Sequence, residues 1–108
     1  MNSTIKLADV PTQEILPGFN AKMVHSKSMT FAYWEIEGGN SIPEHHHVHE
    51  QVVNMLEGEF ELVLDGIAHH LVPGDVLIIP SNVPHGGTAI TNCRILDVFS
   101  PCREDYRV

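Results

Sequence analysis

Glycine and proline punctuate the chain from end to end, and no stretch of ten or more residues between them repeats its apolar side chains at the 3.6-residue period of a helix. What lies between them has the character of short strands. Met29 to Glu37 is rich in aromatic residues and sets Met29, Phe31 and Tyr33 at period two, ahead of Gly38-Gly39. QVVNMLEG, EFELVLDG and IAHHLVPG follow as consecutive strand-and-turn units, with Asp65-Gly66 the dipeptide of a tight hairpin and Phe60, Leu62 and Leu64 on one face. Asp75 to Pro80 and Arg94 to Pro101 are nearly unbroken apolar runs, as expected for strands covered on both sides. About eight strands at this spacing predict an all-β, double-sheet jelly roll. The first 18 residues contain Pro11, Pro17 and Gly18 and are expected to be irregular backbone packed on the barrel.

At 108 residues there is room for one domain, spanning residues 1–108, and a 43% hydrophobic content is enough to give it a core. The formal charge of −8 repels phosphate backbones and anionic lipid headgroups, which disfavours nucleic acid and membrane partners. No apolar run approaches the ~20 residues of a membrane-spanning helix, and MNSTIKLADVPTQEIL lacks the pattern of a secretory leader. The expected compartment is therefore the cytoplasm. There, Cys93 and Cys102 are expected to be free thiols.

Histidine is the outlier. Five of the eight fall in EHHHVHEQ (His45, His46, His47, His49) and NVPHGG (His85). Alternate residues of a strand point the same way, so His45 and His47 make a chelating pair while His46 faces outward. Gln51 can return an amide oxygen toward the same point, and His85 can close the site from across the barrel. Three imidazoles and one amide oxygen suit one divalent ion such as Zn, Ni, Fe or Mn, with room left for a substrate. His49, in the turn, is better placed for a supporting or surface role, and His69 and His70 for solvent.

These residues resemble the two motifs of the cupin family. Gly39, His45, His47, Gln51 and Gly58 reproduce the spacing of the first motif, and Gly74, Pro80, Asn82 and His85 that of the second. Cupins normally carry Glu at the place of Gln51, and Gly and Asn at the places of Asn82 and Ala89. The loss of one ligand charge at Gln51 disfavours oxalate-type manganese chemistry. HHHVHEQVVNMLEGEFELVLDG, VPGDVLIIPSNVPHGG and DVFSPCREDY further resemble the pectin-degradation cupins of the KdgF type. That resemblance implies a single-domain double-stranded β-helix and the ring opening of 4,5-unsaturated monouronates, from pectin and alginate breakdown, to linear keto-aldehydes. It implies His45, His47, Gln51 and His85 as metal ligands, Asp97 and Arg103 as catalytic residues, and Phe99, Arg103 and Gln51 as substrate contacts. By analogy with small cupins it also implies a homodimer.

Read on its own, Asp97 shares a strand face with Ile95 and Phe99, an apolar surround that raises a carboxyl pKa unless a cation is near. It is therefore either a proton carrier or the buried partner of Arg103 or Arg94. Arg103 suits a bidentate contact to a substrate carboxylate, and Phe99 reads as a core aromatic. Two other functions stay open: an Fe(II) cupin dioxygenase, and a non-catalytic module that binds a sugar or anion.

Overall fold

A computed structural model describes residues 4–107. Ten strands, all paired antiparallel, form two facing sheets among these residues. They are β1 (Thr12–Leu16), β2 (Phe19–His25), β3 (Thr30–Ile36), β4 (Ser41–His45), β5 (Glu50–Glu57), β6 (Phe60–Leu64), β7 (Ile67–Leu71), β8 (Val76–Ile79), β9 (His85–Ala89) and β10 (Cys93–Ser100). One sheet runs β1-β2-β3-β10-β5-β8 and the other β4-β9-β6-β7. This is the expected jelly roll, with short 3-10 turns at Leu7–Asp9 and Glu104–Tyr106 as its only helical pieces among the described residues.

The inward faces meet in one core. Ala21, Ala32, Trp34, Val53, Met55, Ile79 and Ile95 of the larger sheet lie opposite Phe60, Leu62, Leu71 and Ala89 of the smaller. Phe19 meets Trp34 edge to face at 6.2 Å. The β6–β7 hairpin turns on Asp65 and Gly66 at φ 49° and 80°, the left-handed conformation that a two-residue turn of the I′ type requires. Cys93 and Cys102 are buried free thiols.

Two expectations need correction, on the N-terminal segment and on β8, and the structure also settles the face of β3 that the sequence left open. The segment 1–18 is not irregular throughout: its first three residues lie outside the described ones, but Thr12–Leu16 is a strand paired with β2. Pro11 and Pro17-Gly18 bound this strand instead of interrupting it, with Gly18 at φ 77° in the turn, and the strand covers the edge that β2 would otherwise leave open. In β3 the buried residues are Thr30, Ala32, Trp34 and Ile36, while Phe31 and Tyr33 lie half-buried on the outer face. Both faces of that strand carry apolar side chains, so period two alone does not say which turns inward. Finally, β8 is an edge strand covered on one side only. Val76 and Ile78 are 61% and 57% exposed, because hydrophobicity reflects both burial and whatever else a face is for.

Candidate metal centre and adjoining pocket

The β4–β9 register places His45 directly opposite His85. β4 ends at His45, so His47 stands in the bend leading to β5 and not on a strand face, yet the bend returns its ring to the same point. Ring centroids lie 4.3 Å apart for His45 and His85, 4.9 Å for His47 and His85, and 5.6 Å for His45 and His47. The three offer one ligand atom each within 4.8 Å of one another.

All three rings are oriented in the same way. Nδ1 lies 2.9 Å from a backbone carbonyl two residues away: Pro43 for His45, His49 for His47, and Val83 for His85. A carbonyl only accepts, so each Nδ1 carries the proton and each Nε2 presents a lone pair. The Nε2 of His85 is buried without a hydrogen-bond partner. The Nε2 of His47 lies 3.2 Å from Oε1 of Gln51, two acceptors face to face with no proton between them. A cation relieves both the repulsion and the orphaned nitrogen. The donor set therefore fits a divalent ion held by His45, His47 and His85, with the Gln51 amide oxygen beside them. Burial first, then the Arg103 charge, pushes the His47 pKa down to about 4, and burial lowers that of His85. Both are neutral, as ligands must be.

His46 points to solvent, as expected. His49 is drawn inward, its ring 5.5 Å from that of His47 and 6.5 Å from that of Phe99, and its carbonyl fixes the tautomer of His47. His70 is exposed beside Glu59, at 3.3 Å, and His69 is half-buried.

The metal site forms one wall of a pocket. Gln51, Trp34, Asp97, Phe99, Arg103 and Tyr106 line the rest of it, with Ile15 and Leu16 of β1 near them. Asp97 sits mid-β10 between Ala32 and Val53, 8% exposed. Burial pushes its carboxyl up to about 7, against the pull of Gln51, Trp34 and the Arg103 charge. Its Oδ1 and the Trp34 indole N–H have no partner within hydrogen-bond distance, so the pull of Trp34 on the carboxyl is a longer-range one. The two arginines that could have paired with it are bonded elsewhere. Arg94 lies 3.6 Å from Glu57, and Arg103 forms a fork with Asp105, Nε to Oδ1 at 2.9 Å and Nη2 to Oδ2 at 2.7 Å. Phe99 is a core residue and a site residue at once, 2% exposed with its ring 5.8 Å from that of His47.

Asp105, Tyr106, Trp34 and the β1 side chains went unnoticed in the sequence. Asp105 and Tyr106 belong to the tail that carries the family resemblance, but no spacing rule marks them. Trp34 and β1 reach the pocket only through sheet pairing.

Two facing antiparallel sheets with a three-histidine cluster at one end are the arrangement of a cupin. The cupin-domain family model matches residues 32–99, and the chain belongs to that family. Within it, the chain is 28% identical over 101 residues to the pectin degradation protein KdgF of Dickeya dadantii, a match covering 91% of this chain and 92% of that one. Among solved structures it is similar to KdgF from Halomonas sp., with a TM-score of 0.91 at 27% identity over 99% of this chain and all of the other. It is equally similar to an RmlC-like cupin from Shewanella frigidimarina, with a TM-score of 0.92 at 28% identity over 99% and 97% of the two chains.

Proposed function

We propose that this cupin is an unsaturated pyranuronate lyase, opening the ring of 4,5-unsaturated monouronates in the cytoplasm. The observation that carries the proposal is a buried carboxyl poised near neutrality, Asp97, in one pocket with a three-histidine site and a buried arginine. The likeness to two KdgF proteins over nearly the whole chain supports the choice of substrate.

The reaction adds a proton at C4 of the ring enol ether, removes one from the hydroxyl on C1, and breaks the bond between C1 and the ring oxygen. An aldehyde forms at C1 and a ketone at C5. No electrons are exchanged with another molecule. The divalent ion, when bound, supplies a Lewis acid that fixes oxygens of the sugar acid. Asp97 carries the proton, since a carboxyl with a pKa of about 7 both gives and takes it at neutral pH. Arg103 holds the substrate carboxylate, Phe99 packs against the sugar, and Gln51 sits between the ligand His47 and Asp97.

The test is incubation of metal-loaded protein with lyase-generated unsaturated monouronate while ring-alkene absorbance is followed. Its decay at a rate proportional to enzyme is expected. A constant absorbance with every one of Zn, Ni, Fe and Mn refutes the proposal, and oxygen uptake with Fe(II) identifies a dioxygenase instead.

The solution form is proposed to be a homodimer. Support comes from the outer face of the larger sheet, where exposed Val76 and Ile78 of β8 stand beside Asn54 and Val52 of β5, with Leu96 and Val98 of β10 beyond them. Light scattering is expected to give twice the chain mass.

A further inference from the structure

The Arg103 guanidinium is held on three sides. Its carbon lies 4.8 Å from the ring centroid of Phe99 and 4.1 Å from that of Tyr106, and those two rings are themselves 6.1 Å apart, nearly perpendicular at 78°. Asp105 takes its Nε–H and one Nη2–H in a planar fork. The Arg103 backbone N–H donates to Thr30 Oγ1 at 2.8 Å, which anchors the residue itself. A guanidinium has five N–H bonds; Asp105 takes two and the Tyr106 hydroxyl also lies close enough to interact, which leaves the remainder of the Nη1/Nη2 edge outside this clamp. Arg103 and Tyr106 line the same pocket as His45, Gln51, His85 and Asp97.

We propose that Asp105 and Tyr106 are positioning residues that present the free Nη1/Nη2 edge of Arg103 to the pocket as a fixed receptor for a carboxylate. The proposal deepens the uronate reading given above and rests on it for the identity of the substrate. An unclamped arginine loses several rotatable bonds on meeting an anion, whereas this one is ordered beforehand by stacking and by the fork. Besides the fork, the Asp105 charge acts on His49. Its side chain is 56% exposed, where an ion pair adds little to folding, while the guanidinium it grips is 10% exposed.

Charge alone and positioning predict opposite results. Asp105 is an anion beside an anion site, so if it acted only through charge, its removal would tighten carboxylate binding. If it aims Arg103, removal loosens binding although the site has become more positive.

The experiment compares full-length, metal-loaded wild type with Asp105→Asn, Tyr106→Leu and Tyr106→Phe. It reads KM and kcat on unsaturated monouronate, the calorimetric Kd for glucuronate as a plain carboxylate probe, and the melting temperature of each. Asp105→Asn and Tyr106→Leu are expected to raise KM and Kd by about 10-fold, the scale of one good charge-assisted contact, with the loss falling on KM and not on kcat. Tyr106→Phe keeps the stacking ring and is expected to restore both values. Tighter or unchanged glucuronate binding in Asp105→Asn overturns the proposal, as does equal weakening in Tyr106→Leu and Tyr106→Phe. If wild type opens no unsaturated uronate, the functional reading fails by itself, and the glucuronate series still decides the clamp.

Discussion

Asp97 shows how one residue's surroundings decide among its roles. A carboxyl this deeply buried is either neutralised by a cation or left able to hold a proton near neutral pH, and both nearby arginines are bonded to other acids. Asp97→Asn keeps the shape and removes the exchangeable proton. Turnover is expected to fall by about 100-fold to 10,000-fold, with melting temperature and metal content close to wild type. A drop of roughly 3 kcal/mol in stability would instead mark a structural ion pair. Asp105 titrates the other way, since the Arg103 fork holds its carboxyl below the usual value. The folded protein thus binds that proton less readily than the unfolded chain. The stabilisation is complete above the ordinary carboxylate pKa and is lost as pH falls through the depressed one. A carboxyl NMR titration is expected to place the Asp105 midpoint below that of an unperturbed aspartate.

Among the elements, β9 is the most constrained. It lies between β4 and β6 and begins with His85, followed by Gly86 and Gly87. A methyl group on Gly87 would overlap the carbonyl oxygen of Glu61 and the ring of Phe60, and one on Gly86 would press on the backbone of β4. Gly87→Ala is expected to cost about 2 kcal/mol or more, measured as a melting temperature lower by about 10 °C. Elements of this kind were readable in the sequence to the extent that local chemistry fixes them. The Asp65-Gly66 hairpin needs two left-handed residues, and the spacings around His45, His47 and His85 need only a strand, a bend and a facing strand. The buried face of β3 was not readable, because Phe31 and Tyr33 compete with Trp34 and Ile36, and only the pairing with β2 and β10 settles it. Nor was β1, whose prolines look like breakers until the turn they form is seen. Residues such as Tyr106 acquire a role only through a contact with Arg103, which no period encodes.

At the scale of the whole molecule, an ion at the candidate metal centre would clip the two sheets together if Gln51 completes the site. His45 and His85 belong to the four-stranded sheet, whereas Gln51 comes from the six-stranded one. An ion bound only by the folded form, at a concentration 100 times its Kd, adds about 2.7 kcal/mol to stability. Chelation is therefore expected to lower the melting temperature by about 10 °C in wild type. A His47→Ala, His85→Ala double variant is expected to contain no metal by elemental analysis and to show no response to chelator.

Arg103 is a nearly buried cation inside a body that carries a formal charge of −8. If Arg103 is the proposed carboxylate receptor, an approaching anion would be pushed away at long range and captured at contact, and these two forces respond differently to ionic strength. Dissolved salt screens charges separated by more than about 10 Å at 0.1 M but hardly reaches a guanidinium packed between two rings. Salt should consequently lower the barrier to approach while leaving the grip intact, so that moderate ionic strength speeds the capture of an acidic sugar that it would slow at an open basic patch.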